Sequence, residues 1–298
     1  MPKSLLTVLK LLFAAGMLIG LGVWVQHAYG WRVTLAIWQH VPLATIAMAT
    51  VLVFASHFAR VARVHYAYSR KQAVSFRRTL AVSLVHNTVS FLLPMRLGEI
   101  ALPALSRHQL NIDLRYSTAT LILLRLFDAH VLLCLLTFFA GSMWLGRFAL
   151  AAPLVLLLAL PMAMAALQLA ATRIPKLAFT QELLAQKTTW FSLYAYTALI
   201  WVIKLFALAY LAASLGKLPI DHAWIATIIA DGSALSPITG FANAGTFELA
   251  FALPLLPLGY TSEALIKTAV NVHLFIFVIN IGIGILGFVL LDTKTKSP

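Results

Sequence analysis

The chain has 298 residues, 61% hydrophobic and only 10% charged, with a mean hydropathy of +0.92. This excludes a soluble globular domain, in which about a quarter of residues are charged, and equally a disordered segment. The lone cysteine, Cys134, excludes an intrachain disulfide scaffold, and the net charge of +13 has no arginine-rich tail or stacking module to point it at nucleic acid.

A membrane-spanning helix needs about 20 apolar residues. In chain order, the first such segment is about 5–27, too long for a signal-peptide core and without a clear cleavage site, so it reads as a retained helix. The second is about 41–59. A basic stretch follows, with Arg60, Arg63, Arg70, Lys71, Arg77 and Arg78, and reads as an inner loop or an anchor for anionic lipid. The segment 79–106 is long enough to span but interrupted by His86, Asn87, Pro94, Arg96, Gly98 and Glu99. Clean spans return at about 116–140, 149–171 and 190–214. A second interrupted segment, 223–258, contains Asp231, Gly232, Pro237, Gly240, Asn243, Gly245 and Glu248, and the last span is about 263–291. Irregular backbone at membrane depth survives only under protein or around a water-filled cavity. Both interrupted segments therefore read as re-entrant hairpins or broken helices.

Loop charge supports that reading. With six spans and two re-entrant segments, the Lys- and Arg-rich connections all fall on one side, and Arg107 and Arg115 join them. Both termini are then cytoplasmic, and the membrane is the cell inner membrane. The expected fold is an all-α polytopic membrane protein forming one transmembrane domain. Its halves, about 1–145 and 146–298, have opposite orientation, an inverted-topology repeat of four segments each, as in many secondary transporters. Faint internal symmetry agrees: Glu99 precedes Arg125 by 26 positions, and Glu248 precedes His273 by 25. The tips of the two hairpins are expected to meet.

The polar residues expected at membrane depth are Asn87, Arg96, Glu99, Arg125, Asp128, Lys204, Asp231, Glu248, Lys267, Asn271 and His273. Clustered charges in a bilayer imply a shared polar cavity, because an isolated one costs about 2.5–3.5 kcal/mol on insertion scales. The alternative is that each satisfies a neighbour. Arg125 and Asp128, at i and i+3, form a structural pair on that view, and a joint replacement should fold better than loss of Arg125 alone. Glu99 likewise neutralises Arg96. Lys204 reads as structural, by snorkelling or pairing with Asp231, and His86 and His130 as packed histidines. No H-E-x-x-H spacing, P-loop or G-x-S-x-G elbow is present, and Asp128 and Asp231 lack the glycine-rich surroundings of a protease dyad. Neither an enzyme nor a metal or cofactor site is expected.

His86-Asn87-Thr88, Leu93 to Glu99 and Arg125-Leu126-Phe127-Asp128 resemble the N-x-(L/I)-P-x-R-x-G-E and R-x-x-D blocks of the lysylphosphatidylglycerol synthetase transmembrane region, or flippase-like, family. Pro237 to Gly240 and Gly245 to Glu248 resemble its P-x-x-G-x-x-G-x-x-E block with a longer gap, and Lys267 or His273 stands where an arginine is common. The resemblance covers nearly the whole chain but not the soluble aminoacyl-transfer domain, so lipid lysylation is not expected. It implies movement of a lipid or lipid-linked molecule between leaflets. On these expectations Arg96 and Arg125 bind an anionic headgroup, and Asn87, Asp128, Asp231, Asn271 and His273 complete the substrate cavity. Glu99 and Glu248 act as gating carboxylates, with possible proton or ion coupling. The other expectation is a non-transporting partner of a lipid- or glycan-modifying enzyme.

Overall fold

A computed structural model of the chain describes residues 19, 23, 25–27, 30–144, 146–148, 150–185, 187–235 and 241–292. The described residues are helical or lie in turns, with no strand among them. They divide into two compact units, Met1–Pro42 and Leu43–Pro298. Most of the expected span 5–27 lies outside the described residues. The first unit contains α1 (Trp31–Ala36), which tightens into a 3₁₀ turn at Ile37–His40 and starts after Gly30, whose φ of +74° suits glycine.

The second unit contains α2 (Leu43–Ser69), α3 (Phe76–Leu92), α4 (Ala101–Leu110), α5 (Leu114–Trp144), α6 (Ala151–Arg173), α7 (Gln181–Leu184), α8 (Lys187–Gly216), α9 (Ile220–Gly232), α10 (Thr246–Ala252) and α11 (Ser262–Asp292). Six stretches are long and apolar enough to cross a membrane: Leu43–Ser69, Leu114–Gly141, Ala151–Arg173, Lys187–Gly216, Phe241–Leu258 and Ser262–Leu291. Five of them coincide with expected spans, and Phe241–Leu258 belongs to the second interrupted segment. One boundary is corrected. Helix α2 does not stop near residue 59 but runs to Ser69, so Arg60 and Arg63 are helical residues and not part of a loop.

Helix α2 packs along α8, and α3 packs along α11. The second contact is close because α11 turns glycines toward α3. A Cβ on Gly284 would lie 2.6 Å from the Thr88 side chain, and one on Gly287 would lie 2.9 Å from Leu84. Small residues of this kind let membrane helices approach, and Thr88 Oγ1 then donates to the Asn280 carbonyl at 2.9 Å. Helix α9 rests on α5 and α8, α4 on α5, and α10 on α11. Helix α6 packs mainly on α5 and leaves Leu154, Val155, Leu158 and Met162 exposed, as a helix does when its outer face meets lipid.

Both interrupted segments are broken, each by a local cause. After α3, Leu93 is extended because Pro94 disfavours helix at the residue before it, and Pro94–Ile100 forms a 3₁₀ turn leading into α4. Gly98 has no substitute in that turn. Its Cβ would collide with the Val89 carbonyl and lie 2.5 Å from Ser90 Cα. After α9, a 3₁₀ turn at Ser233–Leu235 precedes residues outside the description, and the chain resumes in a 3₁₀ turn at Phe241–Asn243. There Ala242 and Asn243 have φ of +46° and +62°, and Gly245, with φ of +81°, opens α10. The turn at 94–100 touches the turn at 241–243, so the two tips meet as expected.

Candidate functional site

The first cluster centres on Asp128, which has no exposed surface. Its carboxylate accepts from Arg125 Nη1 at 2.8 Å, Arg63 Nη1 at 2.9 Å and Trp201 Nε1 at 2.9 Å. Arg63 Nη1 also donates to Thr197 Oγ1 at 2.7 Å. Arg125 turns its remaining edge to Glu99, donating through Nε at 3.1 Å and Nη2 at 2.9 Å to Oε2, with Nη2 2.7 Å from Oε1. Charge-assisted bonds of this length are the strong ones. They tie α2, α5, α8 and the 94–100 turn together. Arg60, one helical turn before Arg63, lies with Cζ 5.1 Å from the Trp201 ring centre, and among the described residues no carboxylate lies within ion-pair distance of it.

This network corrects two expectations. Arg125 and Asp128 do pair, but not in isolation, because Arg63 shares the carboxylate. Replacing both would leave Arg63 without a counter-charge, so the joint replacement should be worse than loss of Arg125 alone. Arg63 is only 4% exposed and belongs to the site, not to a basic loop. A signal was available: Ala49, Val53, Ser56, Arg63 and Ala67 are buried at helical spacing, and that stripe continues past residue 59.

The second cluster centres on Glu248 at the start of α10. Its Oε2 accepts the Gly245 N–H at 2.7 Å, a capping contact, and its Oε1 is 2.7 Å from His273 Nδ1. His273 Nε2 lies 2.8 Å from the Ala242 carbonyl, which only accepts, so Nε2 carries a proton. The short contact on the other side also needs one proton, held on the ring or on the carboxyl. Phe247 stacks on the imidazole at 4.6 Å between centres, and Phe91 meets it edge-on at 6.1 Å. Nearby, Asn243 Nδ2 donates to Ser233 Oγ at 2.9 Å. Lys204 Nζ donates to both Asp231 oxygens at 2.8 and 2.6 Å and lies 5.4 Å from the Trp201 ring centre. The 26- and 25-residue separations are thus both closed as side-chain contacts.

Two recesses flank these clusters. The first is walled by Arg60, Arg63, Ser83, His86, Asn87 and Arg125, with no carboxylate among its lining residues. The second is walled by Ser90, Glu99, Asp231, Asn243, Phe247 and His273. Arg125 lines one and Glu99 the other, so their ion pair is a shared wall.

Of the residues expected from sequence, Asn87, Glu99, Arg125 and Asp128 gather at the first cluster, and Asp231, Glu248 and His273 at the second. Asn271 is buried on the last helix, donates to the Lys267 carbonyl at 2.8 Å and is not among the residues that line either recess. Lys267 pairs with Glu263 one turn away, and the last helix brings His273 to the second cluster. The side chain of Arg96 lies outside the described residues. Sequence reasoning missed Arg60, Arg63, Ser83 and Trp201. Among the described residues no three His, Cys, Asp or Glu side chains group as a metal site would require.

A search of curated proteins returns no match to the chain. The profile of the family described as the lysylphosphatidylglycerol synthase TM region matches residues 7–284, nearly its whole length, and this membrane protein belongs to that family.

Proposed function

We propose that the protein carries a lipid, or a lipid-linked anionic molecule, between leaflets by alternating access, without performing a chemical step itself. One observation carries this reading: two broken segments meet beside charged clusters in the midst of spanning helices. Such residues in membrane segments mark substrate or ion pathways by default.

The packing supports an inverted repeat. Helix α2 faces α8; α3 lies on α11 as α9 lies on α5; α4 lies on α5 as α10 lies on α11. Each broken segment supplies a carboxylate that meets a basic side chain on the helix after it, Glu99 with Arg125 and Glu248 with His273. On this reading the segments are re-entrant hairpins from opposite sides, and an axis in the membrane plane relates 1–145 to 146–298. Both termini face the cytoplasm of an inner membrane. The two ion pairs serve as gates, and the proton held between His273 and Glu248 is available for coupling.

The test is leaflet exchange of a tail-labelled fluorescent phosphatidylglycerol in proteoliposomes, followed by quenching of the outer leaflet. Exchange should exceed that of protein-free vesicles and fall at least about tenfold in folded Glu99→Gln, the equivalent of one charge-assisted contact. Exchange by folded wild type at the protein-free rate would favour a non-transporting partner of a lipid- or glycan-modifying enzyme.

A further inference from the structure

The recess between α2, α3 and α5 has a charge balance that its own side chains do not close. Three guanidiniums, Arg60, Arg63 and Arg125, face two carboxylates, Asp128 and Glu99. Both carboxylates are already engaged by Arg63 and Arg125. Arg60 is left stacked on Trp201. The recess also holds donors with nothing to bond. Arg63 Nε, Ser83 Oγ and Asn87 Nδ2 are buried and have no hydrogen-bond partner. Ser83 and Asn87 are four residues apart on α3, so one face of that helix presents both to Arg60 and Arg63. Buried polar groups are ordinarily satisfied, and a half-buried cation beyond the carboxylates available calls for a counter-charge. Helices α2 and α3 thus aim unused donors at one place, together with the Arg60 guanidinium, which has no carboxylate within ion-pair distance among the described residues.

We propose that this recess is a binding site for a single phosphoryl or phosphodiester group, anchored by Arg60 and Arg63. A tetrahedral anion offers acceptor oxygens in several directions at once, matching donors that arrive from separate helices, and guanidinium forks suit phosphate oxygens. The proposal deepens the transport reading and rests on it for the claim that the phosphate belongs to the cargo. Arg60 is then the anchor with no structural duty, while Arg63 has two roles.

The test is calorimetric titration of the purified full chain, in neutral detergent, with dihexanoylphosphatidate, dihexanoylglycerol and inorganic phosphate. The phosphatidate should bind saturably and the uncharged diacylglycerol should not. Arg60→Gln should weaken phosphatidate roughly tenfold while leaving thermal stability nearly unchanged, since Arg60 is half-buried and makes no ion pair among the described residues. Ser83→Ala should weaken it a few-fold without loss of folded protein. Displacement by inorganic phosphate would show that the phosphate group suffices, and its failure would show that the lipid chains contribute; the site stands in both cases. No phosphatidate binding, equal binding of diacylglycerol, or wild-type affinity in Arg60→Gln would overturn it. Binding without leaflet exchange keeps the site and removes the transport reading, and exchange without binding does the reverse.

Discussion

The two clusters use the same arrangement with different hardware. In the first, Glu99 meets Arg125, a cation that keeps its proton under all ordinary conditions, and Asp128 braces that cation from behind together with Arg63 and Trp201. In the second, Glu248 meets the imidazole of His273. Among the described residues no second carboxylate braces it; Ala242 and Gly245 backbone groups and the Phe247 ring hold the pair. One side is built as a fixed charge network and the other as a proton-bearing contact on a short helix. The difference teaches that two similar carboxylate–base contacts can rest on different supports: the first is locked by charged groups from several elements, the second by backbone groups and one aromatic ring.

The sharpest way to break the first side is Asp128→Asn, which leaves Arg63 buried with no carboxylate. Loss of one partner from a buried pair costs about 3–5 kcal/mol, so the melting temperature in detergent should fall steeply. Arg63→Met with Asp128→Leu should recover much of that loss, because Arg125 keeps Glu99; Arg125→Met with Asp128→Leu should not, because Arg63 is then stranded. On the second side, His273→Leu should cost less, about 1–3 kcal/mol, since Glu248 retains the Gly245 N–H.

The turns differ in the same spirit. Gly98→Ala meets the backbone of α3 and should cost about 1–3 kcal/mol by overpacking. Gly245→Ala meets no atom within 4 Å, so its penalty is conformational, about 1–2 kcal/mol. A larger stability loss for Gly245→Ala would reverse the comparison.

The smallest effect is expected at Asp113, which caps the helix that carries Arg125 and Asp128 by accepting the N–H groups of Arg115 at 2.8 Å and Tyr116 at 3.2 Å. The Tyr116 N–H first, then that of Arg115, hold this carboxyl below its ordinary range. A folded value below the unfolded one gives stability that is present above the ordinary carboxylate range and lost as pH falls through the lowered value. Asp113→Ala should therefore lower the melting temperature slightly at neutral pH and not at all in strong acid.

Much of this was legible in the sequence. Pro94 and Gly98 announced a break, and the structure shows why: one forces the chain out of helix and the other is the only residue that fits against Val89. The matching spacings from Glu99 to Arg125 and from Glu248 to His273 were visible as internal symmetry, but that each spans a side-chain contact is seen only once the helices are packed. What the sequence concealed was the end of α2. Six basic residues between 60 and 78 read as a loop, and a count of charge cannot separate Arg63, buried on the helix face that meets α5 and α8, from Arg70 near the helix end. The role of Trp201 was hidden for a related reason: an indole in an apolar run looks like core until a carboxylate from another helix is found on its N–H.

The central claim is that both clusters serve one translocation pathway, and a double-mutant cycle on leaflet exchange tests it most directly. Glu99→Gln, Glu248→Gln and the double variant, each quantified as folded protein, would be compared with wild type in the same proteoliposomes. Each single variant should lose exchange and the double should be no slower than the slower single, because both carboxylates gate the same passage. Independent, multiplying losses, or wild-type exchange in either folded single variant, would contradict it.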